Sequence, residues 1–522
     1  MLKEMTMKNF NISVIMKTAI LSVAMLTVIS CNDKLYEDPE NKNYTGNTDY
    51  TKSENMLQTL QGVYVEFQDR GWEDIPLISV RGDDVNAGGL GDQQDYAEAD
   101  KYNYNKDFWM INSVWQNVYK DILIAHSAIE QLEQYRVYAP NPAVADQYIA
   151  EAKVIRAFLL FQLSRLWGDV FIPTASDPTL LLSAQVATRQ EVMEHISDQM
   201  DEAIPALLNV HPNERTDIRG GTTRYTALAV KALANLEAKN YQGVADATSQ
   251  IISSNEFTLE PDFYELFKIK GKLNNENILE LQYSDFGKGS GDAKTYLFDF
   301  FGPTDWTPAV AGAGAGWGFF EPSLKYIKFM LDRGEITRLQ TSVLFTDRGI
   351  AEIKKDAKYA NLPAWITNTT PSGDLIKDYP RALFASGKHY LPSNQLTPGR
   401  TQYGANKNYT CIRYAEVLLM HAEALKQGAT SSVMTADAAV NLVRDRADLD
   451  PITGVTLDQV MDEKFAELAM EWGVRYWDMI RLGRLNELSY EGRTFTSAKT
   501  YLPYPQSQKD LLSALANHQN NY

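Results

Sequence analysis

Two segments of the chain carry side chains whose types and spacing suit ligand binding. Residues 79–89 read Ser-Val-Arg-Gly-Asp-Asp-Val-Asn-Ala-Gly-Gly, so Arg81, Asp83, Asp84 and Asn86 fall within six residues, a short step after Trp72 in Gly71-Trp72-Glu73-Asp74. Guanidinium, carboxylate and amide groups fix a ligand by directional hydrogen bonds, the charged ones most strongly. Residues 283–320 carry Tyr296, Trp306 and Trp317 among Gly287, Gly289, Gly291, Gly302-Pro303 and the run Ala311-Gly312-Ala313-Gly314-Ala315-Gly316. An aromatic ring there offers a flat apolar face with a polar edge. Trp306, in Gly302-Pro303-Thr304-Asp305-Trp306-Thr307-Pro308, is the leading candidate, because a tryptophan between two prolines on a polar loop is an unusual core residue. Trp317 leads into an expected helix at 321–331, where packing and ligand roles are equally open. Trp109, Trp115 and Trp477 lie on helix faces and are assigned to the core.

Patterns for catalysis fail one by one. The six histidines contain no His-Glu-x-x-His and no paired metal spacing. Asp83-Asp84-Asn86 lacks the register of a calcium loop. Gly312-x-Gly314-x-Gly316 has neither the preceding strand nor the following Gly-Lys-Ser/Thr of a phosphate loop. No Gly-x-Ser-x-Gly elbow occurs. Arg81-Gly82-Asp83 is a tripeptide of high chance frequency rather than an integrin motif. A glycosidase needs only two carboxylates, so that activity stays open as an alternative; adjacent Asp83 and Asp84 point to opposite sides of an extended loop and would not be the pair. No cofactor and no metal are expected from these patterns. A formal charge of −17 repels nucleic acid and anionic lipid and suits a neutral ligand.

The elements that must position these residues begin after a short apolar stretch. Lys8 and Lys17 precede Ala19-Ile20-Leu21 and Val23-Ala24-Met25-Leu26, which run through Leu26-Thr27-Val28-Ile29-Ser30 to Cys31. The stretch is too short to span a membrane, and a small residue before a cysteine reads as a lipoprotein signal. Residues 1–30 are then a signal peptide, Cys31 the acylated residue, and 31–52 a polar tether. Removal of Lys3, Lys8 and Lys17 against Glu4 takes away a net +2 and leaves a mature chain near −19. Cys411, the other cysteine, is expected to be a buried thiol at the start of an apolar helix pattern.

Helix periodicity dominates the chain beyond the tether. Leu57, Leu60, Gln61 and Tyr64 share a face after the cap candidate Ser53. Trp115, Val118, Tyr119, Ile122, Ile129 and Leu132 line a second helix, and Tyr148, Ala152, Ile155, Leu159, Leu163 and Leu166 a third that Gly168-Asp169 ends. Another helix starts after Thr188. Tyr225, Leu228, Ala229, Ala232 and Leu236 then form a small-residue face, turned at Asn240-Tyr241-Gln242-Gly243 towards Val244, Ala247, Ile251 and Ile252. Hairpins of this kind in series predict a mostly α fold, a tetratricopeptide-like superhelix with an irregular loop-rich region inserted. The regions are 53–255, helical; 256–405, loop-rich with short strands such as Ile278–Tyr283; and 406–522, helical, with helices at 411–427, 434–448, 456–472 and 474–484.

The C-terminal helices carry a resemblance. Ile412-Arg413-Tyr414-Ala415-Glu416-Val417-Leu418-Leu419-Met420-His421-Ala422-Glu423-Ala424 resembles the most recognisable helix of the SusD/RagB family. Asn441-Leu442-Val443-Arg444-Asp445-Arg446-Ala447 and Glu467-Leu468-Ala469-Met470-Glu471-Trp472-Gly473-Val474-Arg475-Tyr476-Trp477-Asp478-Met479-Ile480-Arg481 are similar to the next two, although Trp472 stands where Glu-Gly is commoner. Tyr501-Leu502-Pro503-Tyr504-Pro505-Gln506 and Gln519-Asn520-Asn521-Tyr522 resemble the closing motif. Arg156-Ala157 with Trp167-Gly168-Asp169-Val170 fits the third major helix, with Trp167 in place of the usual tyrosine, and Phe257–Phe267 and Glu276–Glu280 also fit.

This resemblance implies a non-catalytic outer-membrane lipoprotein facing the cell exterior. Such a protein captures a polysaccharide or oligosaccharide and delivers it to a SusC-like TonB-dependent transporter, on which it sits as a lid, in a polysaccharide utilisation system. A sugar offers hydroxyls and apolar C–H faces, which is the chemistry of the two loop segments; a neutral glycan suits the acidic chain, and the tryptophans point to a β-glucan or hemicellulose. The alternatives are a surface glycoside hydrolase and a family member that binds peptides. The family's motifs are mostly structural, so Arg413, Glu416, Arg444, Arg475 and Asp478 are read as buried ion pairs and helix junctions.

Overall fold

The computed structural model describes residues 48–71, 80–88, 94–290, 296–400 and 404–518. Trp72, Cys31, the signal peptide and nearly all of the tether lie outside the described residues. By contact the chain divides after Lys52, and the larger unit runs from Ser53 to Tyr522.

Helix α1 (Met56–Gln68) buries Met56, Leu60, Val63 and Phe67. The core face is thus rotated from the expected one, and Gln61 is exposed. Helices α2 (Trp109–Tyr138) and α3 (Pro142–Trp167) pack on each other and on α1. From Tyr148 onward α3 is buried at nearly every position, as a helix surrounded by neighbours must be. Asn141 caps it through Ala143 N–H at 3.2 Å, with Pro142 in the first turn. Gly168 ends it at φ 75°, its N–H donating to Ser164 O at 2.8 Å. A reciprocal capping box of Thr188 and Glu191 starts α4 (Arg189–Ala203). Asn240 turns α5 (Arg224–Glu237) into α6 (Tyr241–Ser254) by accepting from Gly243 N–H at 3.1 Å. Each helix from α2 to α6 packs on the next, giving the mostly α, tetratricopeptide-like series.

The inserted region holds two short helices relevant to the site, α7 (Leu297–Phe301) and α8 (Leu324–Asp332). Short strands organise its loops as antiparallel pairs. Strand β1 (Val85–Ala87) pairs with β4 (Phe320–Pro322), and β2 (Asn277–Leu281) with β8 (Tyr409–Arg413). Strand β3 (Trp306–Thr307) pairs with β6 (Leu375–Ile376), and β5 (Val343–Phe345) with β7 (Phe384–Ser386). The β8 strand corrects the helix expected from 411. A short, wholly buried apolar run has no periodicity to separate strand from helix, and only pairing with β2 decides it. Cys411 lies on β8, 6 % exposed, and burial pushes its thiol up.

Strand β8 leads into α9 (Tyr414–Lys426), followed by α10 (Ala436–Arg446), α11 (Leu457–Leu468) and α12 (Val474–Arg481). Helix α6 packs on α9, which extends the helical series across the insertion. Buried ion pairs join these parts. Arg413 pairs with Glu276 at 2.7 Å, Glu467 at 2.5 Å and Glu471 at 2.8 Å. Arg444 reaches Glu463 at 3.2 Å, and Asp478 holds Lys464 and Arg481 at 2.7 Å each. Burial alone would raise the Glu467 carboxyl, but the charges of Arg446, Arg413 and Arg338 outweigh it and hold it below the usual range. Glu416 has no ion pair within reach among the described residues, and burial pushes it up to about 7. Breaking such a network by removing one partner costs about 3–5 kcal/mol, so these motif residues are the joints of the fold.

Candidate ligand-binding site

The glycine-rich loop after α7 owes its path to close backbone contacts. Gly316 N–H donates to Pro303 O at 2.8 Å, Trp317 N–H to Asp299 O at 2.5 Å, and Phe319 N–H to Phe300 O at 2.8 Å. A Cβ on Gly316 would lie 2.7 Å from Gly302 O, so the loop can run this close to α7 only with glycine at that point. The next link is just after β1, where Gly88 N–H donates to Phe319 O.

This path lays out a two-layered aromatic patch. In the upper layer Tyr296, Trp317 and Phe319 are half-buried and Trp109 is 56 % exposed. Tyr296 stacks beside Trp317 with ring centroids 6.4 Å apart and planes at 29°. Trp317 lies 5.8 Å from Phe319, and the Arg381 guanidinium lies 4.3 Å from the Phe319 ring centroid. Beneath them Phe300 meets Trp317 edge-on at 5.0 Å, and Tyr96 lies parallel to Phe319 at 6.0 Å and 7°. Phe108, itself 5.8 Å from Tyr96, supports Trp109 at 6.0 Å. Phe300, Tyr96 and Phe108 are buried, so the exposed rings rest on a fixed apolar floor. Asp299 is buried under the same loop and accepts from Gly404 N–H at 2.8 Å; burial pushes its carboxyl up to about 7.

Of the residues singled out by sequence, the structure brings Tyr296 and Trp317 together. Trp306 goes elsewhere. It sits on β3 opposite Ile376, 7 % exposed, with its ring 6.3 Å from Phe298 and 6.0 Å from Tyr390. The two-residue ladder turns the proline-bounded loop inward, and the indole fills an apolar cluster with Leu344 and Leu391.

The polar loop 80–88 is also interior. Arg81 is 0 % exposed; it donates to the Tyr104 and Tyr476 hydroxyls at 3.1 and 3.0 Å and to Thr500 O, and lies 4.4 Å from the Tyr476 ring centroid. Asp83 takes two hydrogen bonds from Arg475, at 2.7 and 3.1 Å, and meets Lys325 at 2.6 Å. Burial pushes its carboxyl up, and the two cations overcome that and hold it below the usual range. Asp84 accepts from Met470 N–H at 2.6 Å, and burial raises it to about 6. Asn86 donates to Glu491 at 3.0 Å and accepts from Tyr490 at 3.1 Å. These four side chains fasten β1 to the C-terminal part of the chain and are turned away from solvent. Among the described residues no group of three or more His, Cys, Asp and Glu is arranged to hold a metal ion.

Sequence reasoning missed Phe319 and Arg381 and assigned Trp109 to the core. A signal for Trp109 was present: six residues before Trp115, it lies about 120° round the helix from the buried face.

Comparison with known proteins agrees with this architecture. The family described as the SusD family matches residues 275–510, and that described as "Starch-binding associating with outer membrane" matches residues 35–235. A SusD-like protein of Bacteroides ovatus is 23 % identical over 492 residues, covering 90 % of this chain and 83 % of the relative. The SusD-like protein P2 of Formosa agariphila is 25 % identical over 489 residues, covering 89 % and 90 %. Surface glycan-binding protein A of Bacteroides thetaiotaomicron, solved with laminarihexaose, superposes with a TM-score of 0.72 at 23 % identity, over 90 % of this chain and 99 % of that one. A laminarin-binding SusD-like protein gives 0.70 at 22 % identity, over 87 % and 97 %. At these identities the structural likeness is one of fold.

Proposed function

The chain belongs to the SusD/RagB family, and from that premise we propose that it is a surface glycan-binding protein that captures a polysaccharide or oligosaccharide without turning it over. The observation that carries this reading is the aromatic patch: half-buried Tyr296, Trp317 and Phe319 and exposed Trp109 over a buried ring floor. Exposed rings on a rigid support favour sugar C–H faces, and the Arg381 guanidinium at the rim is a donor to hydroxyls. A neutral β-glucan suits an acidic chain, and two relatives of this fold are described with laminarihexaose and laminarin. Acylation of Cys31, the 31–52 tether and delivery to a SusC-like TonB-dependent transporter in the outer membrane complete the proposal.

Affinity electrophoresis of the purified protein against laminarin, starch, xyloglucan and pectin tests it. Retardation by a neutral glucan is expected, and Trp317→Ala should weaken it at least tenfold, about 1.4 kcal/mol. Retardation unchanged in Trp317→Ala would remove the patch from the site. Release of reducing ends from the retarding polymer would instead favour a hydrolase.

A further inference from the structure

A second concavity lies away from the aromatic patch, where the end of α6, the segment 257–261 and the start of α9 meet the loop before α10 and α10 itself. Its volume is about 820 Å³, within the range of ordinary binding sites. Its chemistry differs from that of the patch. The two rings in its floor, Phe257 and Tyr414, are 4 % and 7 % exposed and lie nearly parallel at 6.0 Å, while Phe257 is also covered by His211 at 4.5 Å. Neither presents a free face to a sugar. The exposed apolar lining is aliphatic instead: Leu442 is 43 % and Val433 42 % exposed, with Met434 and Leu259 half-buried between them.

The rim carries negative charge. Asp445 and Asp448 are exposed lining residues. Among the described residues the Asp445 carboxylate takes no hydrogen bond or ion pair, and that of Asp448 takes a hydrogen bond from Thr337 at 3.0 Å. Among the described residues the one cation in the lining, Arg446, is committed to Glu276 at 3.0 Å and to Glu467, so it does not neutralise them. An aliphatic trough with two carboxylates at its edge complements apolar side chains flanked by positive charge.

We propose that this groove docks a short segment of a partner protein in which aliphatic side chains alternate with lysine or arginine. Leu442, Val433 and Met434 take the apolar side chains, and Asp445 and Asp448 pair with the cations. The site is independent of the aromatic patch, so the two can be occupied together.

The probe is a fluorescent, end-blocked peptide of alternating leucine and lysine, with serine–lysine and leucine–glutamate peptides of equal length beside it. Fluorescence anisotropy with the purified protein should show binding of the leucine–lysine peptide alone. Leu442→Ser should weaken it at least fivefold, and Asp445→Asn with Asp448→Asn fivefold at low salt and less at high salt. Leu442 is exposed, so its substitution leaves the fold and the laminarin retardation intact. Equal binding of the serine–lysine peptide would reduce the effect to net charge and overturn the proposal. So would unchanged affinity in the variants, or displacement of the peptide by laminarihexaose. Self-association of the protein that Leu442→Ser abolishes would assign the groove to a second copy and overturn it too.

Discussion

Trp306 and Trp317 stand eleven positions apart on one loop system and have opposite fates. The first is sealed against Phe298 and Tyr390, and the second is half-exposed above Phe300. Nothing in composition separates them, since both are tryptophans close to glycine or proline. Asp299 joins this scale to function because it is buried directly under the loop that carries Trp317. Its carboxyl is raised by burial to about 7, against about 3.9 in an unfolded chain. A raised carboxyl contributes stability that is present below the unfolded value and is lost as pH rises through about 7. Asp299→Asn keeps the acceptor for Gly404 N–H and removes the titration. Its stability relative to the parent should therefore rise between pH 5 and pH 8 by an amount on the order of 1–4 kcal/mol, read as an upward shift of its thermal midpoint relative to that of the parent. Parallel melting curves at the two pH values would show that Asp299 is not the titrating group.

At the scale of elements, helices with a cap at one end and glycine at the other were readable: α3 ends at Gly168 and α4 begins at Thr188, as those residues indicate. The ladders of two and three residues were not, because a strand that short is held by its partner rather than by its own pattern. The loop 302–319 depends on close approach, and Gly316→Ala tests that dependence. Its Cβ would stand 2.7 Å from Gly302 O, so the loop must shift and carry Trp317 off the floor of Phe300. Affinity for the retarding glycan should fall about tenfold, with the thermal midpoint lowered by only a few degrees. Full affinity in Gly316→Ala would mean that the ring positions tolerate movement of the loop.

Across the whole molecule, distant segments close the structure. Asp83 and Arg475 are 392 residues apart and share two hydrogen bonds; Arg81 and Tyr476 are 395 apart. The proposed site is thus built on a body cross-braced between its first and last parts. On the proposed acylation of Cys31, a tether of some twenty residues would reach at most about 3.3–3.6 Å per residue. Cys31→Ala should release the protein from the membrane fraction and leave glycan affinity within twofold. Retention in the membrane would place the anchor elsewhere, and loss of affinity in the released protein would mean that anchor and site are not separable.

Local order alone determined a good deal of this protein: the helices, their caps, the series of hairpins, and the motifs that place it in its family. These are contacts of neighbours three or four residues apart, so they are written in consecutive residues. Only the tertiary structure decided which side chains are buried and which reach the surface. Arg81, Asp83, Asp84 and Asn86 look like a binding loop in sequence, yet Tyr476, Arg475, Met470 and Glu491 close over them from the far end of the chain. Tyr296, Trp317, Phe319 and Arg381 come from separate segments and meet only when α7 and the β1–β4 pair are in place. Burial is a sum over partners hundreds of residues away, and spacing along the chain does not record it.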